Sequence, residues 1–201
     1  MNLPASPLAS AVDHRSGFHG YGCTHSRVLL DAARDDNSHG ELLVWEPLTG
    51  EHNLIPSAPG FVPGQSCGAA LVCDADHTHH HDCHSSPFRV VFAYREYMPP
   101  GPFHPPIRIF AYVYSFVTRS WGGHPGETVG VLGGWQFDRK PSVVAGNGAS
   151  VFWMTGEGIN VLEFHLDQTQ RLLLTATPRV TRLEHFVLAP HNDARLGVWP
   201  V

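Results

Sequence analysis

Residues 141–178, PSVVAGNGASVFWMTGEGINVLEFHLDQTQRLLLTATP, break into four short runs divided by turns, and few folds tolerate that pattern. The runs are 142–145, 149–154, 159–166 and 170–175, and Gly146-Asn147-Gly148, 155–158 and 167–169 separate them. Glycine reaches positive φ without steric cost, so GNG and TGEG predict hairpins. In the third run Leu162, Phe164 and Leu166 share one face, while Glu163 and His165 share the other. That is the period-2 pattern of a strand with two unlike faces. The stretch is therefore predicted to form a four-stranded antiparallel meander.

Similar hairpins recur upstream. Residues 41–46, the turn Pro47-Leu48-Thr49-Gly50 and residues 51–55 form one, because proline sets φ at the turn entry and Gly50 closes it. Residues 107–116 are the longest strand candidate, and VYSFVTRSW (113–121) turns in the same way. Further strands are predicted at 26–30, 68–73, 88–94 and 184–189, whereas 122–140 are too glycine-rich to read. Val44 to Thr49, Val113 to Thr118 and Leu162 to Asp167 align without gaps, at spacings of roughly 69 and 49 residues. Propeller blades repeat at roughly 40–50 residues, and the loops 74–87 and 95–106 account for the longer interval. Both faces of 107–116 carry bulk: Phe110, Tyr112 and Tyr114 on one, Ile109, Ala111 and Val113 on the other. Blades stacked face to face bury both. The expected fold is all-β, an incomplete propeller of about four blade-like meanders over 21–201. Residues 1–20 are expected to be a flexible, Pro/Ala/Ser-rich leader.

Composition excludes several classes of function. The formal net charge is −5, with 13 Lys+Arg and a single lysine at Lys140, so nothing forms a basic stripe for nucleic acid or anionic lipid. No apolar run approaches the ~18 residues of a membrane-spanning helix, and the first residues lack the features of a secretory signal. Four cysteines in 201 residues are too sparse for a disulfide framework. Cytosol or nucleus is the expected compartment.

The densest chemical signal is CDADHTHHHDCH, residues 73–84. Cys73, His77, His79, His81, Cys83 and His84 offer the thiolate and imidazole donors that zinc takes. A closed zinc site usually joins ligand pairs from separate elements, whereas these residues occupy one loop. A solvated histidine-rich insertion is the favoured reading and a metal-binding module the alternative. Gly64-Gln65-Ser66-Cys67-Gly68 matches the G-x-S-x-G nucleophile pattern, but that motif needs a helix after the serine and a strand is predicted there. Asp31, Asp35 and Asp36 lack calcium-loop spacing. Cys23 lies near His25 with nothing to mark either as activated. Trp45 and Trp153 fall inside strands, where packing is the expected role. No enzyme activity and no cofactor are expected.

Four segments in fixed order carry a family likeness: LLVWEPLTGE, AALVCDAD with HHHDCHSSPFRVVF, AYVYSFVTRSW, and PSVVAGNGASVFWMTGEGINVLEFHLDQTQRLLL. Over about residues 20–199 the chain resembles the C-terminal F-box-associated, kelch-like propeller region of plant F-box proteins. The loop at 77–84 looks like a feature of that family. The resemblance implies the substrate-recognition part of a Skp–cullin–F-box ubiquitin ligase, with an unknown substrate protein as partner. Residues 1–20 are too few for an F-box of ~40–50 residues with helical periodicity. The Skp adaptor is thus an expected partner only of a longer form carrying that module. The candidate contact loops are 31–40, 74–87 and 95–106, where function sits on a rigid scaffold.

Overall fold

The computed structural model describes residues 20–24, 26–32, 41–73, 87–96, 107–129, 136–137, 143–145, 150–155, 160–166, 172–176, 186–190 and 196–200. All regular elements among them are strands. Sheet A is β1 (Gly20–Thr24), β2 (Arg27–Asp31), β3 (Leu42–Trp45) and β4 (His52–Ile55). Sheet B is β5 (Cys67–Cys73), β6 (Phe88–Arg95), β7 (Ile107–Ser115) and β8 (Ser120–Val129). Sheet C is β9 (Val143–Ala145), β10 (Ser150–Thr155), β11 (Asn160–His165) and β12 (Leu172–Ala176). Strands β13 (Phe186–Pro190) and β14 (Leu196–Pro200) pair as sheet D. Sheets A, B and C are four-stranded, with every strand antiparallel to its sequence neighbour and in chain order.

Alternation along sheet B builds two cores. Ala69, Leu71, Phe88, Val90, Phe92, Tyr94 and Tyr114 meet Leu29, Leu42, Val44 and Ile55 of sheet A. The intervening residues Ala70, Val72, Val91, Ala93, Ile109 and Ala111 meet Val151, Trp153, Leu162, Phe164 and Leu172 of sheet C. Burying one such large apolar side chain contributes about 1.5–3 kcal/mol. Sheet B is thus covered on both faces, as the bulk on both sides of 107–116 implied.

The meander at 141–178 is sheet C, with turns close to the predicted places. The three aligned hairpins are the third strand and following turn of sheets A, B and C. Their register needs correcting by one residue. Val44 and Val113 face the next sheet along the chain, whereas Leu162 faces back toward sheet B. Glu163, not Leu162, therefore holds the place equivalent to Val113. Three further strands depart from expectation. β1 opens the sheet within a stretch expected to carry no strand before residue 26, β8 runs through residues too glycine-rich to read, and β14 lies beyond the last strand expected, at 184–189.

First strands of successive sheets adjoin: β1 lies beside β5, β5 beside β9, and β9 beside β13. Their direction is fixed by side chains. Tyr21 Oη and Cys67 Sγ share a hydrogen bond of 3.5 Å, and Thr24 Oγ1 donates to Leu71 O at 3.3 Å. Both strands therefore advance together from start to end. Phe137 N donates to Ser66 Oγ at 2.7 Å, just before β5, while Phe137 also bridges Thr155 at the end of β10. β9, antiparallel to β10, consequently starts at the same end as β5.

Candidate functional site

Because β1, β5 and β9 run the same way, the stack has an entry end, where they begin, and an exit end. Antiparallel alternation then sorts the connections. The loops 33–40 and 97–106 and the crossings 56–66 and 130–142 are anchored at the entry end. The loop 74–86 is anchored between Cys73 and Phe88, at the exit end, with the turns 46–51 and 116–119. Of the three candidate contact loops, two are thus anchored at one end and the histidine-rich one at the opposite end.

The crossing 56–66 forms a fixed platform at the entry end. Phe61 N donates to Ala58 O at 3.1 Å, Gln65 N to Val62 O at 3.2 Å, and Val62 N to Gln65 Oε1 at 2.8 Å. Gly60 and Gly64 take φ of 74° and 89°, left-handed values that side chains resist. From sheet B, Tyr94 Oη donates to Pro59 O at 2.9 Å and Trp121 Nε1 to Pro56 O at 3.0 Å. Phe61 packs edge-on against Phe92 at 5.1 Å and Tyr94 at 5.5 Å. Burial, helped by Tyr112, raises Tyr94 well above the usual phenol range, so its hydroxyl stays a donor. The 97–106 loop leaves through Glu96, whose N–H donates to Arg108 O at 2.9 Å, and the 33–40 loop closes with Ala32 N donating to Glu41 O at 2.9 Å. Val62, on this crossing, is 57% exposed.

The sequence candidates fare differently. His77, His79, His81, Cys83 and His84 lie outside the described residues. Cys73 closes β5 as a buried core residue paired with Phe88. Among the described residues no three His, Cys, Asp or Glu side chains gather as a metal site. Asp35, Asp36 and His25 also lie outside the described residues, while Cys23 is exposed on β1. Ser66 precedes a strand rather than a helix, and its hydroxyl accepts the Phe137 N–H. Burial pushes the Cys67 thiol up to about 11, against the lowering effect of its hydrogen bond with Tyr21. A protonated, buried thiol is a poor nucleophile. Tyr21 is itself raised by burial and by Cys67. Trp153 is a core residue, as its strand position predicts.

One cluster was half visible in the sequence: Glu163 and His165 share a strand face, and cross-strand pairing adds Ser150. Ser150 opposes His165 in the ladder, and Ser150 Oγ lies 3.2 Å from His165 Nδ1. Glu163, two residues before His165 and on the same face, lies 3.1 Å from its Nε2. One imidazole thus contacts both partners, Ser150 through Nδ1 and Glu163 through Nε2. This relay pins β10 to β11 at the exit end of sheet C.

No protein-family model matches the chain, and no curated protein matches it. No helix among the described residues is long and apolar enough to cross a membrane.

Proposed function

We propose that this chain is a non-enzymatic, protein-binding part of a β-propeller, similar to the substrate-recognition region of plant F-box proteins and working in cytosol or nucleus. The observation that carries the reading is the side-by-side run of β1, β5, β9 and β13, each opening its own sheet. First strands that advance together around one line, with later strands stepping outward, are the arrangement of propeller blades. The likeness of the four segments quoted above to the F-box-associated region is the ground for naming that family here. A recognition surface at the entry end is the reading favoured here, because the anchors of 33–40 and 97–106 lie at the same end as the 56–66 platform. In this reading the partner is a substrate protein, and the Skp adaptor binds only through an F-box in a longer form.

An F-box grafted ahead of residue 1 tests it. Reconstituted with the adaptor, cullin and ubiquitin machinery, the fusion is expected to modify a defined set of proteins. Replacing 97–106 with a short Gly/Ser linker is expected to abolish that selection. An F-box alone that modifies the same set, or adaptor capture by the ungrafted chain, counts against the proposal.

A further inference from the structure

Two turns at the exit end are built alike. The turn after β3 in sheet A and the turn after β7 in sheet B place Gly50 and Arg119 at the same position. Both residues are left-handed, at φ of 76° and 51°. Glycine takes that conformation without steric cost, whereas a larger residue must be forced into it. Sheet A therefore carries the residue such a turn prefers, and sheet B does not. Among the described residues only one other non-glycine has positive φ, Ser26 at 65°, and it too lies at the exit end, between β1 and β2. Strained backbone of this kind clusters where a ligand or partner is held.

A row of side chains joins the two strained turns. Arg27, next to Ser26, lies over the Phe88 ring at 4.9 Å, Phe88 stacks on Phe116 at 4.4 Å, and Arg119 lies over Phe116 at 5.9 Å. Phe88 is buried, and Phe116 N donates to Phe88 O at 3.2 Å, so the fold holds the middle of the row. Arg119 is exposed and makes no ion pair among the described residues. The ring beneath orients its guanidinium without neutralising it. Next to it Thr118 Oγ1 and Ser120 Oγ, both exposed, share a hydrogen bond of 2.9 Å. Arg89, opposite Ser115 in the ladder, adds positive charge at this end. A planar guanidinium presented with two hydroxyls suits a carboxylate, which accepts its fork of N–H donors. Val117, 69% exposed in the same turn, offers an apolar contact beside that charge. We infer that the turn 116–120 is a second recognition site, taking an acidic side chain flanked by an apolar one on a partner peptide. The site is separate from the entry-end surface and does not need the sheets to form a propeller.

Fluorescence anisotropy on the full chain tests it. The probes are a labelled glutamate-rich peptide with scattered leucines and the same peptide with glutamine in place of glutamate. The glutamate peptide is expected to bind at least about fivefold more tightly, by a margin that shrinks as salt rises. Arg119→Gly, which installs the residue used in sheet A, is expected to erase that preference without lowering the urea midpoint. Arg119→Asn, a side chain that tolerates left-handed φ, is expected to do the same. No binding of either peptide, equal binding of the two, or a preference kept in Arg119→Gly overturns the inference. A lower midpoint in both variants also overturns it, because the arginine would then serve the fold. Selection through 97–106 is read by a different experiment, so the two sites fail separately.

Discussion

Toward sheet A, sheet B presents Phe88, Phe92, Tyr94 and Tyr114; toward sheet C it presents Val91, Ala93, Ile109 and Ala111. One sheet thus makes two interfaces by different means. On the aromatic side, large rings of sheet B reach across and contact each other: Tyr94 stacks on Phe110 at 5.4 Å, Phe88 on Phe116 at 4.4 Å, and Trp121 meets Tyr114 edge-on at 5.2 Å. On the small-residue side the bulk comes from the partner. Trp153 of sheet C lies so close to Gly68 that a Cβ there would stand 2.8 Å from its ring, and 2.9 Å from Phe137. The rings on one side tolerate adjustment among themselves. The Gly68–Trp153 contact is a single fit with no slack.

The comparison can be broken hardest at Phe92, which is fully buried at the centre of the aromatic side. Phe92→Ala is expected to cost about 3–5 kcal/mol in urea unfolding. Val91→Ala, its neighbour on the small side, removes less volume and is expected to cost distinctly less. Equal costs would mean that the two faces are not packed differently. A smaller effect sharpens the other side. Gly68→Ala is expected to cost about 1–3 kcal/mol by overpacking. Trp153→Phe in the same chain should recover part of it, because the clash is with the indole; strictly additive losses would deny the close fit.

The smallest effect concerns the buried thiol where β1 meets β5. Folding raises Cys67 from 9.0 to about 11, so the folded chain keeps a proton that the unfolded chain releases. The associated stability is complete below about pH 9 and is lost as pH rises toward 11. Tyr21 and Tyr94, also raised by burial, add to the loss above pH 10. Urea midpoints from pH 8 to 10.5 are expected to fall, less steeply in Cys67→Ala. At pH 8 site-resolved alkylation should modify exposed Cys23 and spare Cys67 and Cys73. Rapid modification of Cys67 in folded protein would contradict its burial.

Sheet C and the three third-strand hairpins were legible because their signals are local: alternation within a strand and turn residues between strands. β1, reading GYGCT, has no alternation to detect. It is a strand because β2 pairs with it and β5 lies beside it. β8 was obscured by its own composition, SWGGHPGETV. Its register slips where Ile109 faces Glu127 and Ala111 faces His124, so Pro125 and Gly126 fall in a bulge. Proline is admitted at a bulge on an outer strand, where its missing N–H breaks no ladder bond. The one-residue error at Leu162 has a similar origin: turn chemistry aligns hairpins, but only packing reveals which face is inward. The separation of the contact loops into two ends was equally hidden. It depends on the Tyr21–Cys67 and Thr24–Leu71 contacts, between residues far apart in the chain.

The bulge in β8 also governs how the molecule can grow. β8 is the outer edge of its sheet, and an unpaired edge is a template on which other chains add strands and aggregate. Pro125 and the kinked register spoil that template for the longest strand among the described residues. Sideways recruitment along β8 is thereby disfavoured. The fold thus guards its longest described edge against fibril-like extension with a single proline and a slipped register.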